Sequence, residues 1–238
     1  MSNLIKITKE LKSLANKPQA VVLQRFFKTG KGQYGEGDIF LGIKVPLTRK
    51  IALKYLSLDF KDISSLLKSK IHEFRLAALF ILVAQYQKTE DRKVKAKIVS
   101  FYLRNTKYIN NWDLVDLSVA KILGDYLILE EKKIKILSTL AKSKNLWERR
   151  MAMVATYAFI QKGRAEEALD LAKKLLHDNH DLIHKAVGWM LREVGKRTDK
   201  KKLKSFLDEH IKNMPRTALR YAIERLSAVE REYYLNKK

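Results

Sequence analysis

The chain has 238 residues, of which 46% are hydrophobic, so it is long enough to bury a sizeable core in one large domain or two small ones. Lysine and arginine together number 49 against 26 aspartates and glutamates, which gives a net charge of +23 and a pI of about 10.0. The sequence contains no cysteine, so disulfide frameworks and thiol chemistry are excluded.

This excess of positive charge favours a polyanionic partner, because like charges repel one another in the folded state. Nucleic acid is the leading candidate. An anionic membrane comes second, since the sequence shows no strongly amphipathic anchor or lipidation site. The first residues lack an apolar signal core, and the longest apolar stretch, residues 71–86, contains Glu73 and Arg75. We therefore expect a cytoplasmic protein.

Helix-breaking residues are scarce, with 9 glycines and 3 prolines, so the chain is expected to be mostly helical. Apolar residues recur at helical spacing from Leu4 to Leu14, which predicts a first helix over residues 4–15. Pro18 suits the first turn of a second helix that runs to Phe27. Further helices are predicted at about residues 46–56, 59–68, 72–88, 90–104, 111–127, 130–142, 145–161, 164–177, 181–196, 199–211, 215–226 and 228–235.

Residues 29–42 interrupt the helices with a glycine-rich loop that holds five of the glycines, at positions 30, 32, 35, 37 and 42. The run from Gly30 to Gly35 superficially matches a dinucleotide-binding fingerprint. No strand precedes it and no βαβ unit surrounds it, so this interpretation is rejected. A mobile loop that contacts a partner is the favoured interpretation.

A polar residue followed by small and apolar residues recurs along the chain at spacings of 32 to 41 residues. Its copies begin at Arg75, Asp116, Arg150, Lys185 and Thr217. This period is in or near the range of helical-pair repeats, and it predicts an all-α, HEAT-like or armadillo-like solenoid of stacked antiparallel helix pairs. We expect a single HEAT-like repeat domain over residues 1–238. Its concave face is expected to be basic, because the recurring polar residues fall in one helix layer.

The segment from Asn110 to Asp116 is the first candidate for chemistry. Asn111 is a good helix cap, because its amide oxygen can accept from the unpaired N–H groups of the first turn. A helix that starts there places Trp112 and Asp116 on one face, four residues apart. The simpler interpretation is a packing tryptophan beside a solvated aspartate that the positive helix end favours.

Three later clusters have a similar make-up, and their charged and aromatic members are Trp147, Glu148, Arg149, Arg150, Lys185, Trp189, Arg192, Arg216 and Arg220. Taken singly, such tryptophans more often pack and such arginines are more often solvated. All three tryptophans of the chain, however, occur near the start of a predicted inner helix, each with a charged residue one turn away. This shared position favours a common functional surface.

A metal site is disfavoured. His180 and His184 are four residues apart, but no glutamate of an HExxH motif lies between them, and the segment crosses a predicted helix start. No Walker loop or Gly-x-Ser-x-Gly elbow is present.

An ordered set of segments resembles the AlkD-type DNA alkylation repair glycosylases. These segments are Phe40–Pro46, Asn111–Asp116, Trp147–Arg150, Lys185–Glu193 and Met214–Arg220, and the resemblance covers about residues 20–226. Members of that family are HEAT-like helical solenoids that cradle duplex DNA and excise N3- and N7-alkylated purines without a metal or cofactor. The resemblance implies a monofunctional alkylpurine DNA glycosylase of base excision repair. We expect it to be a monomer that binds double-stranded DNA and associates with the nucleoid.

The resemblance also implies roles for particular residues. Trp112, Asp116 and Trp189 match the family's catalytic cleft, where Asp116 would stabilise an oxocarbenium-like sugar between the two indoles. Arg150 and Arg192 match its DNA-contacting arginines. DNA binding is further expected of Arg149, Lys185, Arg216 and Arg220. The chemistry is consistent with this assignment, because a cationic alkylpurine leaves as a neutral base without a general acid, and a carboxylate can stabilise the developing sugar cation.

Two other functions stay open. One is a non-catalytic HEAT-like module that binds DNA or RNA, since the family includes members with weak or no excision activity. The other is a HEAT scaffold that binds an acidic protein, although such a scaffold would more often present an apolar groove. The glycine-rich loop is longer than the family pattern, and no role is assigned to it.

Overall fold

The computed structural model describes residues 1–237, and these form helices joined by short turns and, over residues 27–44, by one long loop. Within those residues the extended structure consists of one isolated parallel bridge between Ile39 and Ile71. The prediction of an all-α chain of packed helices is confirmed. No helix in the described range is both long and apolar enough to cross a membrane.

The helices group into two compact units. The first unit, Met1–Ser118, contains α1 (Asn3–Ser13), α2 (Lys17–Phe26), α3 (Val45–Ala52), α4 (Phe60–Leu67), α5 (His72–Lys88), α6 (Arg92–Arg104) and α7 (Trp112–Asp116). The second unit, from Val119 onward, contains α8 (Asp125–Leu129), α9 (Lys135–Ala141), α10 (Leu146–Ala155), α11 (Tyr157–Gln161), α12 (Glu166–Leu175), α13 (Asp181–Arg197), α14 (Lys200–His210), α15 (Arg216–Ala222) and α16 (Ala228–Lys237). A solenoid also divides in this way, because each repeat contacts only its neighbours. The single domain and its basic concave face stay predictions.

Helix α5 forms the core of the first unit. It packs against α1, α3, α4, α6 and α7, and every residue from His72 to Val83 is buried. A helix that is apolar all round is expected in such a central position. Three residues near its start, His72, Glu73 and Arg75, are buried although they are polar or charged. They lie where α5 meets α7 and the end of the glycine-rich loop.

Two predicted helices are broken in the structure, and in both a hydroxyl bonds the preceding turn. The helix predicted over residues 111–127 stops at Asp116, and a π-helical segment, Ala120–Gly124, precedes α8. Just after the break, Ser118 Oγ donates to the carbonyl of Leu114 and lies 2.9 Å from the hydroxyl of Tyr102. The helix predicted over residues 145–161 divides at Thr156, whose hydroxyl donates to Met153. Back-bonding of this kind bends helices.

In the second unit the central helix is α13, which packs against α10, α11, α12, α14 and α15. Gly188 lies in its interior, where glycine costs helix stability. A Cβ atom on Gly188 would lie 2.4 Å from the carbonyl oxygen of Ala218 in α15. The glycine is therefore explained by the close approach of two helices beside Trp189.

Candidate active site

Helix α7 begins at its predicted cap. The backbone of Asn111 is extended, and its side-chain oxygen accepts a hydrogen bond from the N–H of Trp112 at 2.8 Å. Between the two predicted site residues, Asp113, Leu114 and Val115 are buried, while Trp112 and Asp116 are half-buried. The short helix therefore turns one side into the core and leaves Trp112 and Asp116 partly exposed.

Trp112 belongs to a cluster of aromatic rings. Its indole stacks on Phe27 with the ring centres 5.1 Å apart and the planes 10° apart. Phe26 meets the indole edge-on at 6.0 Å, and 62% of its side chain is exposed. Packing thus covers one indole face and fixes the ring, while the aromatic surface continues to solvent through Phe26.

Asp116 ends α7 and influences a buried phenol. Tyr102 is fully buried, and burial together with the nearby negative charge of Asp116 raises the pKa of its hydroxyl. The same hydroxyl forms a hydrogen bond with Ser118 just after the helix. The end of α7 is therefore anchored against α6 through neutral hydroxyl groups.

A buried ionic network lies behind α7. His72 bonds two carboxylates, with Nε2 2.8 Å from Asp113 Oδ2 and Nδ1 3.2 Å from Asp38 Oδ2. The same oxygen of Asp38 accepts from the Arg75 guanidinium at 2.6 Å and from the Asn111 amide at 3.2 Å. The network joins the glycine-rich loop, the start of α5 and the start of α7.

The charges in this network shift the pKa values of two groups. Burial opposes the charged imidazolium, yet Asp113 and Asp38 raise the pKa of His72 above its ordinary value of 6.5. Burial would raise the pKa of Asp38, but the bonds from His72 and the charge of Arg75 hold it below its ordinary value of 3.8. Both shifts favour the ionised forms inside the core.

The adjacent Glu73 holds the end of the glycine-rich loop. Its carboxylate accepts from the backbone N–H groups of residues 41, 42 and 43 at 2.8 to 3.2 Å. Gly42 is at φ 85°, and a Cβ there would lie 2.2 Å from the carbonyl oxygen of Asn16. The expectation of a mobile loop is therefore wrong for the part from Asp38 onward, because its backbone and side chains are bonded into the core.

The second unit carries the third predicted catalytic residue. Trp189 is half-buried on α13, and its ring lies 6.1 Å from that of Tyr157. The guanidinium of Arg197 lies 5.5 Å from the centre of the Tyr157 ring. Trp189 thus belongs to a partly exposed aromatic and basic group within this unit.

Two adjacent arginines predicted to bind DNA are engaged within the protein. The Arg149 guanidinium bonds both carboxylate oxygens of Asp178, at 2.5 and 3.3 Å, and donates to the carbonyls of Ser143 and Lys144. Arg150 is 5% exposed and donates to the carbonyl of Leu182. Both side chains hold α10 to the start of α13.

The other predicted DNA contacts differ in exposure. Arg192 forms ion pairs with Glu224 and Glu193, and 18% of its side chain is exposed. Lys185 pairs with Asp181 one turn earlier and is 38% exposed. Arg216 and Arg220 are both exposed on α15, and Arg216 donates to the carbonyl of Leu235. Phosphates would meet the α15 arginines with the least rearrangement.

Four features of the site were not predicted from the sequence: Asp38, His72, Phe26 and the bond from Asp113 into the core. A signal for the network was present, because His72, Glu73 and Arg75 open an otherwise apolar run that had to be buried. The partners of His72, however, lie 34 and 41 positions away in the sequence, and no local pattern predicts that such distant residues meet.

His180, which the sequence placed beside His184 in a possible metal motif, caps α13. His180 Nδ1 accepts from the N–H of Leu182 at the start of α13, and burial lowers the pKa of His180. His184 Nε2 lies 2.5 Å from the carbonyl of Asp178. Across residues 1–237 there is no group of three or more histidine, aspartate or glutamate side chains placed to hold a metal ion.

Comparison with known proteins gives a family match. The model of the family described as DNA alkylation repair enzyme matches residues 7–226. A protein from Enterococcus faecalis, described as a predicted DNA alkylation repair enzyme, is 17% identical with a TM-score of 0.69, over 90% of this chain and 97% of that one. AlkD2 from Streptococcus mutans is 19% identical with a TM-score of 0.55, over 89% and 99% of the two chains. At these identities the two structures show a shared fold. None of the curated protein sequences matches the chain.

Proposed function

Because the chain belongs to the DNA alkylation repair enzyme family, with a role in DNA repair, we propose that it is a monofunctional DNA glycosylase. Its proposed substrates are N3- and N7-alkylated purines in duplex DNA, and its reaction is hydrolysis of the N-glycosyl bond in base excision repair. Asp116 and Trp112 on α7 are the proposed catalytic residues of the first unit.

One observation carries this proposal. The three residues between Trp112 and Asp116 are buried, whereas Trp112 and Asp116 themselves are both partly exposed on the same short helix. The exposed part of an indole can pack on an apolar or cationic group, and the carboxylate lies one turn away on the same face. The arrangement therefore supports a role at the surface for both side chains.

The reaction needs little from the protein beyond charge and shape. An N3- or N7-alkylated purine carries a positive charge, so breaking its bond to C1′ gives a neutral base and leaves the cation on the sugar. The Asp116 carboxylate would stabilise that oxocarbenium-like sugar electrostatically. Water then adds to C1′ and loses a proton, to Asp116 or to solvent, and the product is an abasic site.

Trp112 would supply a surface for the sugar and its charge. An indole face or edge in contact with deoxyribose excludes water, and its electron-rich face attracts a cation. Because Phe27 already covers one face of the indole, the free part of the ring and the exposed Phe26 are the surfaces left for a ligand. Trp112 is held in place before the substrate arrives, which limits the ordering cost of binding.

The remaining roles stay predictions of the family resemblance. Trp189 would contribute a second aromatic surface, and six basic residues would hold phosphates, namely Arg149, Arg150, Lys185, Arg192, Arg216 and Arg220. Binding through Arg149 or Arg192 would require exchange of an existing ion pair for a phosphate. Surface ion pairs are weak enough for such exchange, but a pair that is mostly buried is harder to break.

The proposal is tested by single-turnover base release from duplex DNA containing 7-methylguanine. Asp116→Asn keeps the shape of the side chain and removes its charge, so release should fall by about 10²-fold on the scale of a single electrostatic deletion. N3-methyladenine depurinates more readily and should lose less to the same change. Asp170→Asn, the same substitution at an exposed position on α12, is the matched control and should release base at the wild-type rate.

Two results would contradict the proposal. Full excision by a well-folded Asp116→Asn protein would place the chemistry at another residue. DNA binding by the wild type without release of either base would instead support the non-catalytic DNA-binding module. Melting temperatures of both variants separate a loss of folding from a loss of chemistry.

A further inference from the structure

The ionic network behind α7 is too costly to be explained by packing alone. Its four charged or chargeable side chains, those of Asp38, His72, Arg75 and Asp113, are between 2% and 6% exposed. Apolar side chains of similar volume would fill such a site at lower cost, because buried ion pairs lose much of their attraction to desolvation. Networks of this kind are better explained by what they hold in place.

The hydrogen bonds of His72 favour its protonated form. Ionised carboxylates only accept hydrogen bonds, and both ring nitrogens of His72 face carboxylate oxygens. A neutral imidazole has one donor, so it satisfies one of these contacts, whereas an imidazolium satisfies both. With His72 protonated, two positive and two negative groups balance.

The surroundings of His72 agree with a cation. Phe40 stacks on the imidazole with ring centres 4.4 Å apart and planes 20° apart, and Phe27 lies 5.2 Å away. Electron-rich ring faces attract positive charge. The Arg75 guanidinium, 3.4 Å from Nδ1, opposes protonation, but it is paired with Asp38. The carboxylate of the neighbouring Glu73 accepts hydrogen bonds from the backbone N–H groups of residues 41–43 and not from His72.

Two bonds of the network end on α7, the helix that carries the proposed catalytic residues, or on its cap. His72 holds Asp113, which lies one residue after Trp112 and three before Asp116. Asp38 holds Asn111, the cap from which α7 starts. Phe27 contacts both the imidazole of His72 and the indole of Trp112. Helix α7 has five residues, too few to be stable without tertiary contacts.

We propose that His72, held as an imidazolium between Asp38 and Asp113, is a positioning residue that fixes α7 and so the orientation of Trp112 and Asp116. Asp113, Asp38 and Asn111 act with it, and none of the four touches the substrate. Loss of the proton removes one of the two bonds and leaves the buried network with one net negative charge, which loosens the helix. This inference rests on the proposed glycosylase function for its kinetic consequence, but its structural part does not.

The structural part is tested by fluorine NMR with 5-fluorotryptophan, the Trp112 resonance being assigned from its absence in Trp112→Phe. The resonance should shift with pH at the same midpoint as the His72 imidazole, and the shift should vanish in His72→Gln. His177→Gln makes the same change at an exposed position and should leave the titration intact. A Trp112 resonance that does not shift when His72 gains or loses its proton would overturn the proposal.

The kinetic part is tested by single-turnover release of 7-methylguanine. His72→Gln should lower the rate at neutral pH by about 10- to 100-fold, because small misplacements of reacting groups are costly, with DNA affinity little changed. Wild-type release should decline as pH rises through the folded pKa of His72, and the variant should lack that decline. In the double variant His72→Gln with Asp113→Asn, two neutral amides can pair again, so its rate should exceed that of either single variant.

The outcomes separate this inference from the proposed function. If His72 only stabilises the fold, His72→Gln lowers the melting temperature while the rate per folded molecule is unchanged, and additive single effects in the double variant point the same way. If the fluorine titration behaves as expected but the wild type releases no base, the glycosylase proposal fails and the coupling between His72 and Trp112 stands.

Discussion

The side-chain amide of Asn111 lies 3.2 Å from the carboxylate of Asp38, a residue 73 positions earlier in the chain. The oxygen of the same amide caps α7 by accepting from the N–H of Trp112. Asn111 is fully buried, so both ends of its amide are satisfied inside the protein. One side chain thus joins the glycine-rich loop to the start of the helix that carries Trp112 and Asp116.

Substitutions of Asn111 should separate its two bonds. Asn111→Ser keeps a capping oxygen but loses the donor to Asp38, and it should cost about 1 to 3 kcal/mol, as for a hydrogen bond to a charged group. Asn111→Asp keeps the cap but places a second carboxylate beside Asp38, and it should cost about 3 to 5 kcal/mol. Urea unfolding of both variants measures this order. A less destabilising Asn111→Asp would show that the bond to Asp38 contributes little.

Glu73 should be among the most sensitive carboxylates of the first unit. Glu73→Gln keeps its size but exchanges charge-assisted bonds to three backbone N–H groups for weaker ones, at a cost of about 2 to 4 kcal/mol. Glu36→Gln is the matched control, because Glu36 accepts from one exposed N–H, that of Gly32, and should change stability by less than about 0.5 kcal/mol. Equal effects in urea unfolding would contradict a structural role for the Glu73 bonds.

The stability of the first unit should depend on the ionisation of Asp38 at acid pH. The pKa of Asp38 is lower in the folded than in the unfolded chain, so its contribution is present above pH 3.8 and is lost as the pH falls through the folded value. Asp38→Asn should therefore be most destabilising near neutral pH, and its difference from the wild type should shrink on acidification. Free energies of unfolding between pH 3 and 7 measure this, and a constant difference would contradict it.

The salt dependence of DNA binding should distinguish exposed arginines from engaged ones. Each phosphate contact contributes about −0.9 to the slope of log affinity against log salt concentration. Arg220→Ala, on the exposed face of α15, should reduce that slope by about one contact without loss of stability. Arg149→Ala breaks the pair with Asp178 and should lower stability by about 2 kcal/mol, with a smaller effect on the slope. The reverse pattern would assign the phosphate contact to Arg149.

The fold class and the start of α7 were predictable because they depend on local information. Scarce glycine and proline indicated helices, and α5 spans the predicted residues 72–88. Asn111 caps α7 as its side-chain chemistry predicted. The end of α7 was not predictable, since Ser118, whose hydroxyl bonds the preceding turn just after the break, is also bonded by Tyr102 from another helix.

The residues that bond the candidate site residues were less predictable than the site residues themselves. Helical spacing places Arg149 and Arg192 on a face, but it does not reveal that Asp178 and Glu224 already bind them. The charges of His72 and Asp113 are separated by 41 residues, and only the folded core brings them together. Resemblance to a family gave the residues for which roles can be proposed, and the structure gave the neighbours that support them.

The small size of α7 has a consequence for how the protein unfolds. A five-residue helix has almost no stability of its own. It therefore depends on the bonds that Asn111, Asp113 and Ser118 make to other elements. Its amide protons should therefore exchange with solvent only when α5 and the loop end separate from it, in one cooperative event. Hydrogen exchange in α7 would then report the integrity of the whole first unit, and heat or denaturant would take away the proposed catalytic pair together with that unit's core.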